Sequence, residues 1–173
     1  DFVGSMYYYS KDPAVKNDPE EFVYYVPQDS SYITTYIGHN MGRNRKVTGI
    51  TAPFQGPFFI SYKDGSSSAY CTFMGGDTRT THVATKSETG RNLLVIKDSY
   101  GNALPGYLFD AFDDIHVVDF RYFTRNIVDY VRDNNITDIA VAFNVFNILL
   151  VNNLQHAYAQ TTSTALMKML GKS

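Results

Sequence analysis

Residues 91–103 read Arg91-Asn92-Leu93-Leu94-Val95-Ile96-Lys97-Asp98-Ser99-Tyr100-Gly101-Asn102-Ala103, and this stretch decides the fold. Four aliphatic residues in a row, bounded by polar ones, are the pattern of a strand buried on both faces, as in a parallel sheet. The run then breaks abruptly into Asp98, Ser99 and Gly101, residue types that turn a chain out of a strand and into a helix. Two further apolar runs follow, Ile115-His116-Val117-Val118 and Ile139-Ala140-Val141-Ala142-Phe143. The segments between them, 104–112 and 125–134, have helical length and an amphipathic pattern. Residues 91–173 therefore read as β-α-β-α-β, which predicts an α/β fold of the Rossmann-like, flavodoxin-like kind: a parallel sheet with right-handed crossovers and helices on both faces.

Residues 1–90 have a different character, rich in Tyr, Thr, Ser and Gly, and read as a β-rich portion of strands and loops ahead of the parallel unit. Strands are expected at Ser31 to Ile37, Pro57 to Tyr62 and Ala69 to Met74, with Lys63-Asp64-Gly65 as a hairpin turn between the last two. Asp12 to Glu21 reads as an exposed loop or a short capped turn, and Leu149 to Leu170 as further helix broken near Thr161-Thr162. Tyr7-Tyr8-Tyr9 and Tyr24-Tyr25 suit sheet-face packing, with a carbohydrate-stacking surface as the less favoured reading.

The whole chain, 173 residues at 44% hydrophobic and 18% charged, suits one domain with one sizeable core. A net charge of −2 with scattered Lys and Arg gives no basic stripe and argues against nucleic-acid binding. Cys71 is the single cysteine, which excludes an internal disulfide, and it reads as a small apolar residue in a strand. The four histidines show no metal-ligand spacing, so neither metal nor cofactor is expected. No apolar run reaches the roughly 18 residues of a membrane-spanning helix. The chain opens at Asp1 without an initiator Met and reads as the C-terminal piece of a longer protein.

Ligands of open parallel sheets bind at the carboxyl ends of the strands, which directs attention to the residue after each run. Ser99 follows the first, at a turn where free backbone N–H groups favour developing negative charge, and Asn144 follows the third, with a side-chain amide able to donate to an oxyanion. A nucleophile with its oxyanion donor is one reading of the pair. Helix capping by Asp98 and Ser99, with Asn144 as an ordinary turn residue, is the other. Arg121 follows the second run and could hold a carboxylate or hydroxyl of a sugar, or pair with Asp119 or Asp98. Asp98, Tyr100 and Arg121 are the candidate substrate-binding groups, although Lys97 and Asp98 also suit support of the turn. His82, five residues after Asp77, is the candidate in-chain base with Asp77 as its orienter. His116 reads as a structural histidine in a buried strand and His39 as a loop residue, while His156 falls on the C-terminal helix.

The segments Lys97-Asp98-Ser99-Tyr100 and Asp119-Phe120-Arg121-Tyr122-Phe123, with Gly75-Gly76-Asp77 and Val3-Gly4-Ser5-Met6-Tyr7, resemble the DHHW family of bacterial exported proteins. That family is similar to the SGNH-like domains of alginate and cell-wall polysaccharide O-acetyltransferases. The resemblance implies an SGNH-type sheet, with Ser99 as the serine of the first block and Asn144 as the asparagine of the third. It also implies an extracellular or cell-surface protein, an acetyl donor, and a polysaccharide or cell-wall glycan as partner. One element is missing: the chain has no Asp-His-His-Trp motif and no Trp. In the related acetyltransferases an Asp-x-His pair precedes the nucleophile block, so here it would lie before Asp1. A serine without a general base is a poor nucleophile, because its hydroxyl must lose a proton as it attacks. Two functions stay open: a serine esterase or O-acetyltransferase completed by an upstream Asp-His pair, and a non-catalytic glycan- or protein-binding module on the same scaffold.

Overall fold

A computed structural model of the chain describes residues 2–29, 31–43, 46–150 and 160–162. Two short helices, α1 (Ser5–Ser10) and α2 (Pro13–Asn17), lead the chain. Asp12 caps α2 by accepting from the Ala14 N–H at 2.9 Å, and Pro13 opens it, so the expected capped turn between Asp12 and Glu21 is present. A six-stranded sheet forms the body. Its strands are β1 (Ile33–Ile37), β4 (Phe54–Gln55), β5 (Thr80–Ala84), β6 (Asn92–Lys97), β7 (Asp114–Asp119) and β8 (Asp138–Ala142), in the order β4-β1-β5-β7-β6-β8. Strands β2 (His39–Met41) and β3 (Val47–Ile50) make a separate antiparallel ribbon.

The expected all-parallel sheet with helices on both faces is corrected by this topology. β6 pairs parallel with β7 and with β8, in the places given by the three apolar runs. The β4-β1, β1-β5 and β5-β7 pairs are antiparallel, so the sheet is mixed and mostly antiparallel. The mixed α/β character holds, and parallel pairing is confined to β7, β6 and β8. A single α-helix, α3 (Ile127–Asp133), crosses between β7 and β8, inside the expected 125–134 segment and capped by Asn126, whose Oδ1 accepts from the Val128 and Asp129 N–H groups. The expected 104–112 helix is instead a 3₁₀ turn at Leu104–Tyr107 followed by open turns. Pro105 and Gly106 account for this: an added Cβ on Gly106 would meet Phe59 Cζ at 2.9 Å, so the backbone lies directly on an aromatic ring.

Two expected strands are also absent. Ala69–Thr72, with Cys71, is a 3₁₀ turn, and Pro57 to Tyr62 contributes only the isolated Phe59 to Phe73 bridge, although a turn does form at Asp64-Gly65. The expected helix from Leu149 to Leu170, with His156, lies outside the described residues apart from 149–150, where a short helix ends, and 160–162. No helix among the described residues is long and apolar enough to cross a membrane.

Strand alternation builds two cores. On one face Leu93, Val95, Ile115 and Val117 meet Tyr36, Phe58, Phe73 and Phe109, so aromatic loops from the first half of the chain do the work of a covering helix. On the other face Leu94 and Val118 pack against Phe123, Ile127 and Tyr130 of the α3 region. Lys97 shares the parity of Leu93 and Val95, and Asp119 that of Ile115 and Val117. The last residues of β6 and β7 thus end side by side, in register, on the aromatic face.

Candidate active site

β6 ends at Lys97, and the chain turns through Asp98 into a 3₁₀ turn at Ser99–Asn102. Asp98 is buried completely, and its carboxylate organises the turn. Oδ1 accepts from the Tyr100 N–H at 2.9 Å, while Oδ2 accepts from the Asn144 N–H at 2.6 Å and from Asn147 Nδ2 at 2.8 Å. One carboxylate therefore ties the turn after β6 to the turn after β8, where Asn144 caps α4 (Val145–Leu149) through its Oδ1 to the Phe146 N–H at 2.8 Å. Asp98, expected among the substrate contacts, is a positioning residue with both oxygens engaged inside the protein.

What this tie leaves unused is chemically suggestive. Neither the Ser99 hydroxyl nor its backbone N–H has a hydrogen-bond partner among the described residues, and the Asn144 Nδ2 group donates to none. Ser99 and Asn144 are both half-buried. Tyr100 is 70% exposed, with its carbonyl anchored by the Tyr70 hydroxyl at 2.8 Å, and with Gly101, Leu104, Ala142, Phe143 and Asn144 it lines an open cleft beside the serine. That placement suits the contact role expected of Tyr100.

Gly101 makes the turn possible. A Cβ there would stand 2.6 Å from Lys97 Cβ and 3.2 Å from both Cβ and O of Ala142, atoms fixed by the β6-β8 ladder. Gly101→Ala should therefore cost about 1–3 kcal/mol through overpacking. The check is the urea midpoint at unchanged slope, and an unmoved midpoint would show that the turn has room to spare.

Beside the turn lies a closed network of four charges. Lys97 Nζ, fully buried, is 3.0 Å from Asp119 Oδ2 and 3.7 Å from Asp77 Oδ1. Arg121 reaches Asp119 through Nε at 2.9 Å and Nη2 at 2.6 Å, and the same Nη2 is 2.8 Å from Asp77 Oδ2. Asn102, also buried, donates Nδ2 to Asp77 Oδ1 at 3.1 Å. Two acids and two bases balance, which is what allows them to be buried together. Burial pushes the Asp77 carboxyl upward, but the charges of Lys97 and Arg121 and the hydrogen bonds from Asn102 and Arg121 prevail and hold it below the usual carboxylate value. Burial opposes the charge on Arg121, and its bonds to Asp119 outweigh that and raise its pKa. A left-handed run at Met74, Gly75 and Gly76, with φ of 60°, 71° and 102°, swings Asp77 into place.

The other expected residues fall as follows. Arg121 pairs with Asp119 and Asp77, not Asp98, and remains 24% exposed at its side chain. His82 is not the base for Ser99. It sits on β5 opposite His116, which is level with Leu94 of β6, five residues before Ser99, a displacement of about 16 Å along the sheet. Its Nε2 is 2.6 Å from Asp114 Oδ1, at the far end of β7, and Asp77 is committed to the charge network instead. His116 is a structural histidine: its Nδ1 is 2.9 Å from the Tyr130 hydroxyl, and burial, followed by the neighbouring His82, lowers its pKa to about 4. His39 is not in a loop. It lies on β2 and stacks on Tyr122 at 4.0 Å, and burial, with the charges of Arg79 and Arg121, lowers its pKa against the opposing pull of Asp119 and Asp77. Lys97 is expected as turn support and Asp77 as a family landmark and as the orienter of His82, and the structure places both in the charge network instead. The signal for the Lys97 to Asp119 pair is that these residues, of opposite charge, close two neighbouring apolar runs.

The family model for DHHW protein matches residues 1–118. A crystal structure of a DHHW family protein from Eubacterium siraeum DSM 15702 superposes with a TM-score of 0.75 at 34% identity, covering 94% of this chain and 51% of that one. This chain thus spans about half the length of that protein. Bacillus cereus PatB1 superposes with a TM-score of 0.53 at 20% identity, and PatB1 with a sulfonyl adduct with 0.52 at 19%, each covering 72% of this chain and 40% of the other. At that identity the likeness to PatB1 is one of fold. No curated protein matches the chain.

Proposed function

The chain belongs to the DHHW family, and from that premise we propose that it carries the nucleophile half of a serine acyl-transfer site, an esterase or polysaccharide O-acetyltransferase acting outside the cell. The observation that carries this reading is the Asp98 carboxylate, which binds both turns and leaves the Ser99 hydroxyl, the Ser99 N–H and the Asn144 amide unspent at one edge of the sheet. In the proposed reaction Ser99 Oγ forms a bond to an acyl carbonyl and gives its proton to a base. The ester C–O bond breaks, the leaving oxygen takes that proton, and water or a sugar hydroxyl then accepts the acyl group from Ser99. The Ser99 N–H and Asn144 Nδ2 would hold the oxyanion. Tyr100 and the rim of Arg121 would meet the substrate. The base would be an Asp-His pair supplied by another part of the protein, since His82 is held by Asp114 and lies far from Ser99. That a protein of this fold, PatB1, exists with a sulfonyl adduct supports the reading, because sulfonyl reagents mark activated nucleophiles.

The test is fluorophosphonate labelling of the longer protein that contains this chain, with the adduct mapped by mass spectrometry. The adduct is expected on Ser99 and should vanish in Ser99→Ala. Labelling that persists in Ser99→Ala, or that never reaches Ser99, would overturn the assignment and favour the binding-module reading.

A further inference from the structure

A second site lies on the sheet face that carries α3. That helix covers β6 and β7 but stops short of β1 and β5, so the outward residues of those strands floor an open cleft of about 320 Å³, at the small end of ligand cavities. Arg79 lines this cleft, yet the residue is only 4% exposed. Its guanidinium donates to the Tyr122 carbonyl at 3.1 Å and to Thr124 Oγ1 at 2.5 Å, both neutral acceptors, and it forms no ion pair with any described residue. A buried cation with no anion is costly, because desolvation is not offset by attraction. The charge nearest in effect is another cation: burial first, then Arg125, lowers the Arg79 pKa, and no acid opposes them.

The remaining ionisable groups of the cleft already have partners. Arg125 is paired with Asp133 at 3.1 Å, His82 with Asp114, and His116 with the Tyr130 hydroxyl. One positive charge is left over, and the floor beside it is apolar, with Ile37, Ile50, Pro53 and Phe123. We propose that this cleft binds a small organic monocarboxylate, its carboxylate held by Arg79 and Arg125 and its apolar body resting on Ile37, Ile50 and Phe123. A single negative charge matches the single excess positive one. A phosphate dianion would bring a second charge close to Asp114 and Asp133. The site is independent of the Ser99 reading and stands whether or not that serine is a nucleophile.

Calorimetric titration of the chain with benzoate and with hexanoate tests it. Saturable one-to-one binding is expected in the millimolar range typical of ligands this small, with benzamide and inorganic phosphate weaker by roughly tenfold or more. Arg125 is half exposed, so R125Q should fold normally while binding benzoate roughly tenfold more weakly through loss of a charge-assisted contact. Absence of saturable heat with both carboxylates, phosphate binding as tight as benzoate, or an unchanged affinity in R125Q would each overturn the proposal.

Discussion

Asp119→Ala is expected to cost about 3–5 kcal/mol of folding stability, the scale on which breaking a buried ion pair strands the surviving charge. Asp119 has no exposed surface and accepts four hydrogen bonds: from Lys97 Nζ, and from the backbone N–H, Nε and Nη2 of Arg121. Without it, two cations share Asp77 alone, and Lys97 is 3.7 Å from that carboxylate. Urea unfolding measures the loss. The same experiment on Lys97→Met with Asp119→Leu should recover most of it, since both members of the fully buried pair leave together and Arg121 keeps Asp77. A loss below about 1 kcal/mol for Asp119→Ala would mean that the network behaves as a solvated surface cluster.

Asp98→Ala should be nearly as damaging to the fold and more so to chemistry. Three N–H groups, from Tyr100, Asn144 and Asn147, lose their acceptor, each a desolvated donor whose orphaning costs about 1–3 kcal/mol. Water reaches this half-buried edge and softens the sum, so we expect about 3 kcal/mol in total. The rate of fluorophosphonate labelling at Ser99 in the longer protein should fall by about a hundredfold, because the serine and the Asn144 amide no longer share one anchor. Asp98→Asn, which keeps a carbonyl acceptor, should fall between the two. Labelling that stays at the wild-type rate while stability drops would show that the two turns hold their places without the carboxylate.

Much of this was legible in the residues, and the reasons differ by element. β6 and β7 show as continuous apolar runs because each is flanked by strands on both sides and covered on both faces, whereas β8 carries the same apolar pattern at the border of the sheet with Ile139 and Val141 left exposed. β5, with Thr80, Thr81 and His82 among its residues, carries no such run and takes its strand form from pairing with β1 and β7. Ala69 to Met74 has the composition of a strand, but only one bridge is available to it, and the left-handed backbone at Met74, Gly75 and Gly76 turns the chain away. The site divides in the same manner. Ser99 and Asn144 can be placed by counting from the ends of runs, whereas the charge network depends on the β6-β7 register and on a turn made elsewhere in the chain. The distance of His82 from Ser99 is hidden for a related reason: it is set by antiparallel register, which sequence separation does not report.

The Asp98 tie also bears on how the molecule breathes. Two of its three donors come from the segment just after β8, and among the described residues β8 is an edge strand paired only with β6, with Ile139 and Val141 largely exposed. Edge elements with little apolar cover open locally at a lower free energy than the centre of a sheet. Each such excursion would carry Asn144 away from Ser99 while β5, β6 and β7 stay closed. The lifetime of the assembled serine environment is therefore governed by fraying at one border of the sheet, and it is shorter than the lifetime of the fold.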